Sequence, residues 1–325
     1  MKKKLTIIML ALCLVSCLTL ASVLAIAAQS FTDVATEEEL FTAVRSGGGN
    51  VRLTDNITVE RGTLPINYTT EIDLNGHTLT FREPGMVSVA RYNNGGKEVM
   101  STFPVGIAVN ANFTLSDESK KGKIDVWGDN STGIYVGPTG DLSMWGGTIT
   151  NSSVTIPDGS EETPKYTTSV GIFILRGKVS MTSGSRIENE SQAGVMVCGG
   201  TFSMVGGRTV ISGCGIQSGY GSYYYGGGVH VTSEKDENGN TVLGSFALSM
   251  GARIENCSAF NGGGVYLSGQ SVFTINAGSI TGCKANQGGG VYVSSAGKVA
   301  EENGQYKCIT PAFTMKGGSI EGCSA

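Results

Sequence analysis

Charge is scarce in this chain of 325 residues: only 15% are charged, histidine occurs twice, and beyond Lys2 to Lys4 the one tight basic group is Lys120, Lys121 and Lys123. Phosphate binding needs clustered Lys and Arg, so nucleic acid is not an expected partner. His77, in an early strand or turn, and His230, in the middle of a Val-x-Val strand, have no nucleophile or metal ligand beside them in sequence. Neither marks a catalytic triad or a zinc site. Low charge does not signal disorder here, because apolar residues reach 40% and supply a large core if the architecture is elongated or repetitive. Glycine is abundant, at 49 positions, and points to turn-dense structure rather than helices.

The first residues carry an export pattern. Lys2, Lys3 and Lys4 precede an uncharged apolar run from Leu5 to Ala28, and small Ala25 and Ala27 place a cleavage site before Ala28. Residues 1–27 are therefore expected to be a signal peptide, and the protein to be secreted or held at the cell surface. Losing three lysines and no acid takes the formal charge from −4 to −7. Two alternatives retain the segment. Leu14-Val15-Ser16-Cys17 resembles a lipoprotein box, although the apolar run continues past Cys17, and the run is long enough to span a bilayer uncleaved. Membrane contact is expected only through such an anchor.

Internal repeats decide the architecture. Gly-Ile-Tyr-Val begins at Gly133, Gly-Ile-Phe-Ile at Gly171 and Gly-Val-Met-Val at Gly194, while Gly-Gly-Gly-Val recurs from Gly226, Gly262 and Gly288. A second piece alternates apolar and polar residues, as in Leu142-Ser-Met144, Val179-Ser-Met181, Phe202-Ser-Met204, Leu248-Ser-Met250, Phe273-Thr-Ile275 and Phe313-Thr-Met315. That is the period of a strand. A third piece closes the unit, as in Gly278-Ser-Ile280-Thr-Gly-Cys283. Three short strands make one coil. The glycines before each Val-x-Val, from Gly106 to Gly290, lie 27, 38, 23, 34, 36 and 26 residues apart. The longer intervals hold polar insertions at 157–169, 215–225 and 232–245, which stacked coils extrude as loops.

Thr36 with Glu39 is a capping box, Leu40, Phe41 and Val44 form an apolar face, and Gly47 to Gly49 end the short helix. Ile72-Asp-Leu-Asn-Gly-His-Thr-Leu79 then reads as an early strand and turn. At these residues the chain resembles the pectate-lyase-like family of right-handed parallel β-helix proteins, and its Gly-Gly-Gly-Val-Tyr-Val units are similar to repeats of bacterial surface β-helix proteins. The resemblance covers 34–325 and implies an all-β fold: a right-handed parallel β-helix solenoid with a short N-terminal capping helix. Residues 28–105 would hold the helix and first coils, and 106–325 the glycine-marked repeats. Cys323-Ser-Ala325 falls where another Gly-Gly-Gly is expected, so a truncated gene product is expected. For an enzyme, the resemblance implies calcium held by clustered Asp with a basic partner, or paired acids. No Asp-Asp pair and no Gly-His-Gly occurs.

The expected function is a non-catalytic, adhesin-like surface protein that binds a glycan or a host or cell-surface protein. The alternatives are a polysaccharide lyase or glycoside hydrolase, and a structural stalk of a longer surface protein. Alternation sends the middle residue of each Val-x-Val strand outward, so Tyr135, Phe173, Met196, His230, Tyr266 and Tyr292 are expected to form an exposed stripe, extended by Tyr220, Tyr223, Tyr224 and Tyr225. Such rings stack on sugars or anchor a partner, or else stabilise the sheet by stacking on one another. Asp236, Asn238 and Asn240 alternate around Gly239 as weak calcium candidates without a distal bidentate Glu. The same residues are ordinary turn formers, and no cofactor is expected. Glu301-Glu302 lies in another insertion two coils later. Cys214, Cys257, Cys283 and Cys323 each follow a strand isoleucine by three residues, where earlier units have Ser152 and Glu190. One file of thiols makes no tetrahedral cage, so packed thiols are expected rather than an obligatory disulfide framework. Cys198 and Cys308 have no such place.

Overall fold

The computed structural model describes residues 30–92, 97–153, 169–215, 225–294, 298–302 and 305–325, with backbone only for 298–302 and 305–309. The expected leader lies outside them. Among the described residues no helix is long and apolar enough to cross a membrane.

Strands dominate, and they stack in long parallel sheets, an arrangement consistent with a β-solenoid. The first sheet has ten strands, from Thr32–Val34 to Ala312–Met315, each parallel to the next. Two further parallel stacks are joined into one sheet of 17 strands by an antiparallel hairpin of Thr78–Tyr92 and Glu98–Val109. One sequence unit gives one strand to each stack, for instance Asp141–Gly146, Thr148–Thr150 and Ser169–Leu175.

Period-two alternation fixes the register, since a slip of one residue would turn every apolar side chain outward. In the first sheet Leu142, Val179, Phe202, Phe246 and Phe273 are successive partners. The rings of Phe202, Phe246, Phe273 and Phe313 stack inside with centroids 4.9, 4.7 and 5.2 Å apart, close to the roughly 4.8 Å between paired strands. The second stack contributes Ile149, Ile187, Ile211, Ile254 and Ile280, all fully buried. The helix Glu37–Arg45 has both halves of its capping box, and Leu40 and Val44 join the same core.

The Gly-Gly-Gly triplet has a separate reason at each position. Gly262 has φ +68°, a left-handed conformation that a side chain would strain. A Cβ on Gly263 would strike the carbonyl of Lys284. On Gly264 it would lie 2.5 Å from the carbonyl oxygen of Gly290 and 2.6 Å from Ile280 Cγ2. The third glycine thus lets the third stack close against the isoleucine file.

The turn after each isoleucine explains the cysteines. Asn189, Asn256 and Gly282, two residues after Ile187, Ile254 and Ile280, all have positive φ, and this reversal brings the next side chain inside. Cys214, Cys257 and Cys283 are fully buried, and Cys323 is half-buried. The Sγ atoms donate to the carbonyls of Ser212, Glu255 and Thr281 at 3.4, 3.5 and 3.5 Å. Cys308 lies outside the side chains described.

Candidate functional site

The third stack places the stripe residues in one row: Tyr135 pairs with Phe173, Phe173 with Met196, Met196 with His230, His230 with Tyr266 and Tyr266 with Tyr292. Two of these six residues are closed to solvent. Tyr135 and Phe173 are 5% and 6% accessible, which corrects the expectation of a continuous open stripe. The hairpin lies across them: Phe103 meets Tyr135 and Phe173 edge-on at 6.1 and 5.3 Å. With Val89, Val170, Leu175 and Cys198 these side chains form a second apolar cluster outside the main core.

Ion pairs pin the hairpin's far end. Arg91 Nε donates to buried Glu234 at 2.9 Å, and Arg91 Nη2 lies 3.8 Å from Cys198 Sγ. Burial pushes the Cys198 thiol up to about 12, against the opposing pull of Arg91. Arg176 stands over the Tyr92 ring at 5.4 Å and donates to the carbonyl of Lys235 at 3.1 Å.

The open part consists of Met196, His230, Tyr266 and Tyr292, each half-buried. Tyr225 stacks on Tyr266 at 4.7 Å, and Tyr266 on Tyr292 at 5.6 Å with planes 4° apart. Both faces of Tyr266 are therefore covered, and one face each of Tyr225 and Tyr292. Edges and hydroxyls are left for solvent. His230 meets Tyr266 edge-on at 4.9 Å, its Nε2 lies 3.4 Å from Ser268 Oγ, and burial, assisted by Arg91, lowers its imidazole to about 4. Tyr220, Tyr223 and Tyr224 lie outside the described residues.

The weak calcium segment is the tip of a small antiparallel pair, Glu234–Lys235 with Thr241–Val242. Asp236 accepts from the amides of Asn238 and Asn240 at 3.0 and 2.7 Å and from Asn240 Nδ2 at 3.1 Å. Desolvation opposes ionisation, but these hydrogen bonds outweigh it and hold the carboxyl below its ordinary value. Its oxygens close the turn. Among the described residues no three His, Cys, Asp or Glu side chains converge as a metal site. The side chains of Glu301 and Glu302 lie outside the description. His77 lies in the turn after Leu74, its amide bonded to the Leu74 carbonyl.

A cleft of about 1010 Å³ opens on the other side, along the outer face of the first sheet where its strands turn into the second stack. Trp145 stands in it, 55% exposed and in register with Ser116. At one end Arg52 pairs with Asp73 at 2.9 Å and lies over Phe31 at 4.3 Å. Asp117 is spent on the amides of Gly76 and Gly122 and on Ser119 Oγ, at 2.9, 2.8 and 2.7 Å. Glu71 accepts from Ser116 Oγ at 2.8 Å. No family model matches this chain, and no curated protein or solved structure is significantly similar to it. Function therefore rests on these two surfaces. The sequence reading passed over Trp145, although its place one residue after Met144 in an alternating strand already turns it outward.

Proposed function

We propose that the protein is a right-handed parallel β-helix, capped by the Glu37–Arg45 helix and carried outside the cell as an adhesin-like bacterial surface protein, and that it binds a protein partner without catalysis. The observation that carries this reading is the open part of the row, where Met196, His230, Tyr266 and Tyr292 stand in register with Tyr225 stacked beside them. Stacking takes both faces of Tyr266 and one face each of Tyr225 and Tyr292, which leaves little open ring face for a sugar. Their edges and hydroxyls, with a thioether and an imidazole, make a flat, preordered surface of the amphipathic kind common at protein contacts.

Adhesion of beads coated with the full chain to cells tests this reading. Adhesion should survive glycosidase treatment of the cells, disappear after proteinase treatment, and fall roughly thirtyfold with Tyr266→Ala and Tyr292→Ala combined, if each ring supplies about 1 kcal/mol. Unchanged adhesion by a folded double variant would remove the row from the interface.

A further inference from the structure

The row and the hairpin account for the outer face of the third stack, but not for the Trp145 cleft. We propose that this cleft is a second, independent binding site, and that its ligand is an uncharged oligosaccharide with one ring laid on the Trp145 indole.

Large aromatic side chains are normally at least half-covered in a soluble protein, yet Trp145 is 55% exposed inside a concavity. Local chain length makes the notch. Five residues, 118–122, connect Asn112–Asp117 to Lys123–Val126, whereas Gly147 alone connects Asp141–Gly146 to Thr148–Thr150. The following two units turn through four residues each, 182–185 and 206–209, and place small Ser183, Gly184, Gly206 and Gly207 along the cleft. Trp145 thus has a projecting loop before it and the smallest residues after it. A platform of this kind suits the apolar C–H face of a pyranose, as it does any flat body with a polar rim.

The rim supplies the hydrogen bonding. Glu71, one oxygen of which takes the Ser116 hydroxyl proton, offers its second oxygen as an acceptor, Ser116 Oγ can itself accept, and Lys120 and Arg208 offer donors. Neither Lys120 nor Arg208 is ion-paired to a described residue. They flank one point, since a Cβ on Gly184 would lie 3.3 Å from Arg208 Cβ and 4.0 Å from Lys120 Cδ. Arg52, Lys120 and Arg208 stand against Glu71, Asp73, Asp117 and Glu118 in the lining, so no excess of positive charge selects an anionic ligand. Mixed donors and acceptors around an apolar platform match a chain of hydroxyls.

The test uses a panel of neutral gluco-, manno-, galacto- and xylo-oligosaccharides, titrated to about 10 mM against the full chain by isothermal calorimetry for every variant, and in parallel by emission in the full chain with Trp127→Phe, where Trp145 is the only indole. The expected result is a saturable change in Trp145 emission with at least one of them. Affinity should fall tenfold or more with Trp145→Ala and severalfold with Arg208→Met, and stay unchanged with Tyr266→Ala. A silent panel overturns the proposal, as does binding that persists undiminished in Trp145→Ala. A charged sugar bound at least tenfold more tightly than its neutral counterpart overturns the ligand class. Because Trp145 is exposed, Trp145→Ala should melt within a few degrees of the parent, which keeps its loss of binding interpretable. None of these outcomes depends on the protein-partner reading of the tyrosine row.

Discussion

Single residues in this molecule are constrained by what the neighbouring coil does. Glu190 occupies the file position that later units give to Cys214 and Cys257, and it is 1% exposed. Burial pushes its carboxyl from 4.5 up to about 8, against a hydrogen bond from Ser169 and with some help from Asp125. The folded protein keeps a proton that the unfolded chain releases above 4.5. Stability from Glu190 is therefore fully present below pH 4.5 and is lost as the pH rises through about 8. Glu190→Gln should flatten that part of the curve, read as urea midpoints at the two ends of the window; an unchanged slope would show that Glu190 is ionised in the fold. His230 has the opposite sign, depressed from 6.5 to about 4, so its contribution is lost as the pH falls across that interval. Gly264→Ala should cost about 1–3 kcal/mol through overpacking against the Gly290 carbonyl and Ile280. A thermal melt equal to the parent's would mean that the strands spread freely to admit a methyl.

Among the elements, the hairpin is the one with an unexpected task. Its inward side chains seal Tyr135 and Phe173, so Phe103→Ala should destabilise by about 2–4 kcal/mol, toward the low side for a large aromatic because Phe103 is only partly buried. Hydrogen exchange should quicken first along Gly85–Val105 and Ser131–Leu175. Exchange that quickened only at the hairpin would show that the covered rings need no cover. Arg91→Met leaves Glu234, 7% exposed, without its guanidinium, and should be more disruptive than Arg91 and Glu234 replaced together, because an uncompensated buried charge is what costs most. Much of this was open to inspection: Asn93-Asn94-Gly95-Gly96 between runs rich in valine is a hairpin signal, but a reading tuned to coils took 28–105 as the first turns of the stack. The registers themselves were legible, because side-chain alternation leaves only one way to bury the apolar half of each strand.

At the scale of the whole molecule, each strand pairs with the one before and the one after, so damage should stay local. Ile254→Ala, in the middle of its file, should cost about 2–5 kcal/mol and raise amide exchange most in Arg186–Glu188, Val210–Ser212 and Gly278–Thr281, with little change at Val51–Leu53. Uniform acceleration along the chain would show a single cooperative unit instead. The buried thiols give a second probe. Cys214, Cys257 and Cys283 have no accessible surface, and burial heads the causes that hold the Cys257 thiol above its ordinary value. Alkylation of the native protein should spare them and reach them only in urea.

The sequence by itself determined the three-strand unit, its register, the inward files of isoleucine, phenylalanine and cysteine, and the row of middle residues on the third stack. These follow from periodicity, which is a property of neighbours along the chain. Which part of the row meets solvent was decided only by tertiary structure, because the hairpin that covers Tyr135 and Phe173 comes from some 30 to 90 residues earlier in the chain. Both faces of Tyr266, between Tyr225 and Tyr292, were likewise spent by ring-to-ring distances that no spacing rule contains. The Trp145 cleft depends on the single-residue turn at Gly147, set between the five residues of 118–122 and the four-residue turns of the next two units. Periodicity says which way a side chain points; only the assembled coils say what stands in front of it.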